Sequence, residues 1–96
     1  MKRTGDFYFD PKDEIYREHF PGNPVVPGTV IIKAFIDLLG ESNLRVENFT
    51  FRKFLTPGSC SYIIDQKENI YYCKIYSGNI TYAKGIIKSG ESLNEI

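Results

Sequence analysis

The chain lacks the features that would tie it to nucleic acid, a membrane or a metal. Its 96 residues carry 12 lysines and arginines against 12 acids, a formal charge of zero. A nucleic-acid binder usually draws its affinity from a clustered basic face. The densest basic stretch here is only "FRK" at 51–53, and "KENIYYCK" at 67–74 alternates in sign. No apolar run approaches the roughly 20 residues of a membrane span, and "MKRTGDFYFD" lacks the apolar segment of a signal peptide. The expectation is a cytoplasmic chain that binds neither nucleic acid nor membrane. Cys60 and Cys73 are too few and too far apart for a zinc site by spacing, and in a reducing compartment they read as packed thiols. No motif requires a metal or an organic cofactor. Repeats and low-complexity segments are absent, and only "SGESLNEI" at 89–96 is polar enough to fray. A single domain spanning 1–96 is expected. A chain of this size buries only about 60–65% of its unfolded surface, which favours association.

What is present is a clear change of pattern along the chain. "DFYFD" (6–10) alternates and is rich in β-formers, predicting a short strand that stops at Pro11. Residues 11–28 hold four of the five prolines, so they form neither a long helix nor a central strand. Loops this long in compact domains are usually functional. From Thr29 to Glu41 the sequence "TVIIKAFIDLLGE" predicts a helix. Its polar positions 29, 33, 37 and 41 form one narrow stripe; the other faces are apolar, so the helix is expected to be buried nearly all round. Strands follow at 44–54, 59–65, 70–77 and 80–89, separated by "TPG", "QKEN" and "SGN". Their tyrosines (Tyr62, Tyr71, Tyr72, Tyr76, Tyr82) lack the basic groove of a base-stacking surface and read as sheet packing. The expected architecture is α+β: a strand, a long loop, one buried central helix, then four antiparallel strands in a meander. Five strands curved round one helix make a hot-dog fold. Its open edges need covering, so a dimer is expected.

The long loop contains "HFPGNPVVPG" and runs into "TVIIKAFIDL". This resembles the signature of the bacterial β-hydroxyacyl-(acyl carrier protein) dehydratases, in His19, Phe20, Pro21, Gly22, Pro24, Val25, Val26, Pro27 and Gly28, with Ile31, Ile32 and Ala34 in register. A second family feature is partly kept in "FRKFLTPGS", which retains Phe51, Arg52, Pro57 and Gly58 but has Phe54 and Ser59 where the family has Pro and Asp. The resemblance implies elimination of water from an acyl thioester carried on acyl carrier protein or coenzyme A. One group takes the α proton and another protonates the departing β-hydroxyl. It implies that His19 does the proton work, at a pKa suited to neutral pH. It implies that the Gly28 backbone N–H, helped by the helix dipole, faces the thioester carbonyl. Phe20, Pro27, Val30 and Phe54 are the expected lining of the acyl slot. The family builds its sites across a homodimer interface, or within a higher oligomer of dimers.

The sequence departs from the family at the acid. Fourteen positions after the histidine, where the dehydratases carry Glu or Asp, stands Lys33, and one turn later stands Asp37. Three readings remain open. Lys33 simply pairs with Asp37, a contact worth a few tenths of a kcal/mol; Lys33 is itself the proton donor; or Asp37 replaces the carboxylate from about 6 Å away. Glu18, in place of the usual Gly, should face away from the substrate, and Asp13, Glu14 and Arg17 read as solvated loop charges. The functional alternatives are a dehydratase-related acyl-thioester protein with altered or lost activity, a thioesterase using Asp37, and a non-catalytic acyl-binding or assembly subunit paired with a second hot-dog chain.

Overall fold

A computed structural model describes residues 1–18 and 24–90, with the backbone alone at 17 and 18. The elements are β1 (Lys2–Phe9), α1 (Ile15–Glu18), α2 (Gly28–Leu39), β2 (Leu44–Phe51), β3 (Gly58–Lys67), β4 (Ile70–Ser77) and β5 (Ile80–Ser89). They form one antiparallel sheet in the order β1-β3-β4-β5-β2, with α2 packed on one face. Among the described residues no helix is long and apolar enough to cross a membrane.

The four-strand meander expected from sequence is corrected to three strands. β3, β4 and β5 follow one another through tight turns at Glu68–Asn69 and Gly78–Asn79, but β2 lies at the far edge beside β5. The physical reason is side-chain fit. Phe49 and Phe51 of β2 stand opposite Gly85 and Ala83 of β5, where two small residues leave room for two rings. A Cβ added at Gly85 would lie 2.3 Å from the Phe49 ring and 2.3 Å from the Asn48 carbonyl oxygen. β1 also runs longer than the expected 6–10, because it pairs with β3 along its length, from Lys2↔Asp65 to Phe9↔Gly58. β2 stops at Phe51 rather than residue 54.

Alternation then sorts the side chains. Phe7, Phe9, Cys60, Tyr62, Ile64, Tyr71, Cys73, Ile75, Ala83 and Ile87 face the helix and make up most of the core. Phe35 of α2 is fully buried and sits at the centre of the aromatic contacts. Its ring meets Phe7 edge-on at 5.0 Å, Phe49 at 6.0 Å and Tyr62 at 6.3 Å. Burying a side chain of this size contributes about 2–3 kcal/mol, and each well-placed ring pair adds roughly 0.5–1.5 kcal/mol. The two thiols are packed as expected. Burial, with Asp6 nearby, pushes Cys60 up to about 11, and burial pushes Cys73 up to about 12, so neither is a ready nucleophile.

Helix α2 differs from expectation in two ways. It is not buried all round: Ile31 and Phe35 are buried, Thr29, Lys33 and Asp37 are exposed, and the remaining apolar positions are half-buried. One sheet covers only one side of a helix, so the other apolar flank stays partly open. The helix also ends before Glu41. Gly40 adopts the left-handed conformation (φ 68°) and donates its N–H to Ile36, the usual glycine stop. Glu41 therefore leaves the polar stripe and becomes a clamp. It accepts a hydrogen bond from the Tyr71 hydroxyl and another from Ser89 Oγ at 2.8 Å, tying the helix exit to β4 and β5.

Two outcomes follow from this packing. Gly85→Ala should destabilise the fold by roughly 1–3 kcal/mol through overpacking, read as a fall in thermal midpoint of about 4–8 °C per kcal/mol. The clamp has a pH signature. Donation from Tyr71, then from Ser89, holds the Glu41 carboxyl below its ordinary value. The contact with Glu41, then burial, pushes Tyr71 up to about 12. A lowered carboxyl contributes stability above its unfolded value and loses it as pH falls through the folded one. A raised phenol contributes below its ordinary value and loses it as pH rises through the folded one. Glu41→Gln should therefore cost about 0.5–1 kcal/mol on the plateau between roughly pH 5 and 10. The difference from wild type should shrink in acid, as measured by urea unfolding across pH.

Candidate functional site

The N-terminus of α2 is built by residues from three parts of the chain. Pro27 is the N-cap, with φ −62° and ψ 149°, and no side chain caps the helix. The Pro27 carbonyl accepts from Val30 and Ile31. Among the described residues no acceptor faces the Gly28 and Thr29 N–H groups, leaving two donors at the positive end of the helix. No acidic residue occupies the first turn.

The connection between β2 and β3, residues 52–57, passes this end of the helix because β2 lies at the far edge of the sheet. Arg52 N–H donates to the Tyr82 carbonyl at 2.7 Å, and Val26 N–H donates to the Leu55 carbonyl at 2.7 Å. Val26 and Leu55 are buried. Above this anchored floor, Phe51 lies against the helix start: a Cβ at Gly28 would come within 2.7 Å of its ring. A side chain at position 28 would thus have to push the ring aside, and a glycine lets the aromatic pack closely on the helix start.

A cavity of about 500 Å³ opens here. Pro27, Gly28 and Thr29 form its head, Ile31 and Ile32 its helix wall, and Phe51, Phe54 and Leu55 the opposite wall. Among the described residues Lys53 is the one charged residue lining it. Phe54 is 83% exposed and Phe51 47% exposed, so the wall furnished by the connection is open to solvent. An apolar cleft that ends at unpartnered helix amides can hold an apolar chain and a polarised carbonyl together.

The structure brings together three of the sequence-expected residues: Pro27, Gly28 and Phe54. Val30 packs half-buried against the core, and among the described helix residues beyond Thr29 it is Ile31 and Ile32 that line the cavity, a rotation of about 100° per helical position separating neighbours. His19 and Phe20 lie outside the described residues, as does the side chain of Glu18. Lys33 and Asp37 lie beyond the cavity, on the exposed stripe. The Lys33 ammonium donates to Asp37 at 2.9 Å, with side chains 72% and 63% exposed. Each is the other's partner in the geometry of an i, i+4 pair.

Sequence reasoning missed Phe51, Lys53 and Leu55 as lining residues. The stretch "FRKFLTPG" was visible as a family feature, but its place against the helix depends on which strand β2 pairs with.

Comparison with known proteins agrees with this geometry. The model of the ApeI-like family, described as ApeI dehydratase, matches residues 2–76. The 3-hydroxyacyl-(acyl-carrier-protein) dehydratase FabZ of Caldanaerobacter subterraneus subsp. tengcongensis is 26% identical over 94 residues, covering 84% of this chain and 62% of the relative. FabZ of Wolbachia pipientis is 38% identical over 53 residues, covering 42% of this chain and 37% of the relative. The chain thus spans about three-fifths or less of the curated relatives it matches. Among solved structures, the fluoroacetyl-CoA thioesterase FlK superposes with a TM-score of 0.57 at 12% identity, over 98% of this chain and 90% of the thioesterase. A point mutant of the same thioesterase superposes equally well at 15% identity. At such identities the superposition shows the fold alone: one helix on a five-stranded antiparallel sheet, the hot-dog arrangement. With its family match, its sheet order and the glycine-headed helix in agreement, the chain belongs to the ApeI-like dehydratase family of hot-dog proteins.

Proposed function

We propose that the cavity at the head of α2 receives an acyl thioester, on acyl carrier protein or coenzyme A, and that the chain is a dehydratase relative whose acid step is altered. The observation that carries this reading is the pairing of unpartnered Gly28 and Thr29 amides with an apolar cleft of about 500 Å³. In a 3-hydroxyacyl substrate, the α carbon loses its proton to His19. The resulting charge collects on the thioester oxygen, where the Gly28 N–H donates. The C–O bond at the β carbon then breaks, and the hydroxyl leaves as water once it is protonated.

Protonation of that hydroxyl is the step in question. A carboxyl group is absent at position 33, and the carboxylate one turn later is already engaged by the Lys33 ammonium. Misplacing an acid by about 1 Å can cost a hundredfold in rate, and Asp37 is displaced by about 6 Å along the helix. We therefore place the chain as an acyl-thioester-binding protein with weak or no dehydration of its own. A second hot-dog chain is the natural source of a missing acid. Asp37-directed hydrolysis is the less favoured reading, because Lys33 holds that carboxylate.

An uncovered sheet edge fits the same reading. β2 is an edge strand, paired with β5 on one side, and carries exposed Val46 and Phe51. The half-buried flank of α2 also remains open. We propose a dimer through the β2 edge, with residues 1–96 forming one hot-dog domain in each copy.

Crotonyl and 3-hydroxybutyryl thioesters test this directly, with hydration followed optically and thiol release in parallel. Wild type should bind both while turning over slowly or not at all. Lys33→Glu should raise hydration by at least about tenfold, and His19→Ala should abolish that gain. Efficient wild-type hydration would overturn the altered-acid reading; thiol release that Asp37→Asn removes would favour hydrolysis. Lys33→Ala should change stability by no more than about 0.5 kcal/mol, so its effect on activity can be read as chemistry. Sedimentation should return a dimer.

A further inference from the structure

The sheet face turned away from α2 carries a second cavity, about 430 Å³, which shares no residue with the one at the helix head. Strand register sets its chemistry. One transverse row across the sheet reads Thr4, Ile63, Lys74, Lys84, Thr50, and the next reads Lys2, Asp65, Tyr72, Ile86, Asn48.

Two features of these rows are unusual for a solvated face. Lys74 and Lys84 stand directly opposite one another on β4 and β5, an arrangement in which like charges destabilise a sheet. Neither makes an ion pair among the described residues; the Lys74 ammonium lies 5.5 Å from the Tyr76 ring centre. The nearest acid in the rows, Asp65, is opposite Lys2 and lies 4.0 Å from the Met1 amino group. The second feature is the floor. Ile63 and Ile86 are half-buried beside the lysines, and Tyr72 is 41% exposed. An outward sheet face is ordinarily polar, yet this one joins an apolar floor to two lysines without an ion pair among the described residues, with Lys2 and Asp65 completing the charged lining of the cavity.

We propose that this groove binds a phosphate monoester with an apolar or aromatic body, its phosphate between Lys74 and Lys84 and its body over Ile63, Ile86 and Tyr72. A monoester phosphate carries nearly two negative charges at neutral pH and three acceptor oxygens, matching two ammonium groups that share one cross-strand position. The volume is in the range of small-ligand sites. The site is independent of the acyl cavity and stands whether or not that proposal holds.

Phenyl phosphate is the probe, titrated into the full chain at about pH 7.5, where the monoester is mostly dianionic. Backbone amide shifts locate the binding, with inorganic phosphate and benzyl alcohol as head and body alone. Shifts should cluster on β3, β4 and β5 around Ile63, Lys74, Lys84 and Ile86, with a Kd of about 1 mM or tighter. Each fragment should bind at least about fivefold more weakly. Lys74→Gln and Lys84→Gln should each weaken phenyl phosphate roughly tenfold, while Lys12→Gln, which lines neither cavity, should not. Lys84→Glu should abolish binding yet raise the thermal midpoint of the free protein, because it turns a like-charge pair into an attractive one. That result separates a site kept at a cost in stability from a fold that has merely been damaged. Equal binding of inorganic phosphate would mean an adventitious ion only and would overturn the proposal. So would shifts centred on the helix head, at Val25 to Ile32 and Phe51 to Leu55, or affinity unchanged in Lys84→Gln.

Discussion

The structure depends on one buried ring. Phe35 has no exposed surface and touches Phe7 from the β1 edge, Tyr62 from the middle of the sheet and Phe49 from the β2 edge. Strands at opposite margins of the sheet thus pack against the same side chain, and the sheet curls to let them do so. Phe7 stacks on Tyr62 at 4.6 Å and Phe49 stacks on Phe51 at 6.0 Å, extending the contact to both margins. The belt ends at Phe51, whose ring rests against Gly28. Core packing and the candidate site are therefore one continuous arrangement, and a loss at Phe35 would loosen the wall of the cavity as well as the core.

The order of strands converts that packing into a site. Had β2 paired with β3, the segment 52–57 would be a simple turn at one end of the sheet. With β2 beside β5, the same residues run past the head of the helix, where Val26 and Leu55 join the two walls by a hydrogen bond. The free amides of α2 then sit at the head of a largely apolar cleft, open to solvent on the side of Phe54, where a backbone donor can meet a developing charge. Membership of the ApeI-like dehydratase family is consistent with this use of the helix head. Lys33 itself stands on an exposed stripe, where its pair with Asp37 contributes little to stability.

The two faces of the sheet follow different rules. The inner face is apolar wherever alternation requires it, with small residues at 83 and 85 making room for rings from β2. The outer face should be free to vary, yet it places two lysines opposite each other beside half-buried isoleucines. Like charges opposite one another weaken a sheet, which is why that arrangement reads as a surface shaped for something outside the chain.

Much of this was legible in the sequence because it rests on short-range physics. Helical period located α2 to within two residues at either end, and period-two alternation located five strands. The residues from His19 to Gly28 announced the family, since a histidine and a proline-stiffened entry into a glycine-headed helix make a local pattern. What only the tertiary structure decided were the relations between distant segments. Sequence cannot say which edge β2 joins, because alternation in a strand is the same whichever neighbour it meets; the choice falls to Phe49 and Phe51 fitting over Gly85 and Ala83. For the same reason the apolar helix looked enclosed from sequence but is covered on one side by a single sheet. Lys74 and Lys84, ten residues apart in the chain, become neighbours only through the β4–β5 register. Local propensity set the elements, and long-range packing chose their order and with it the site.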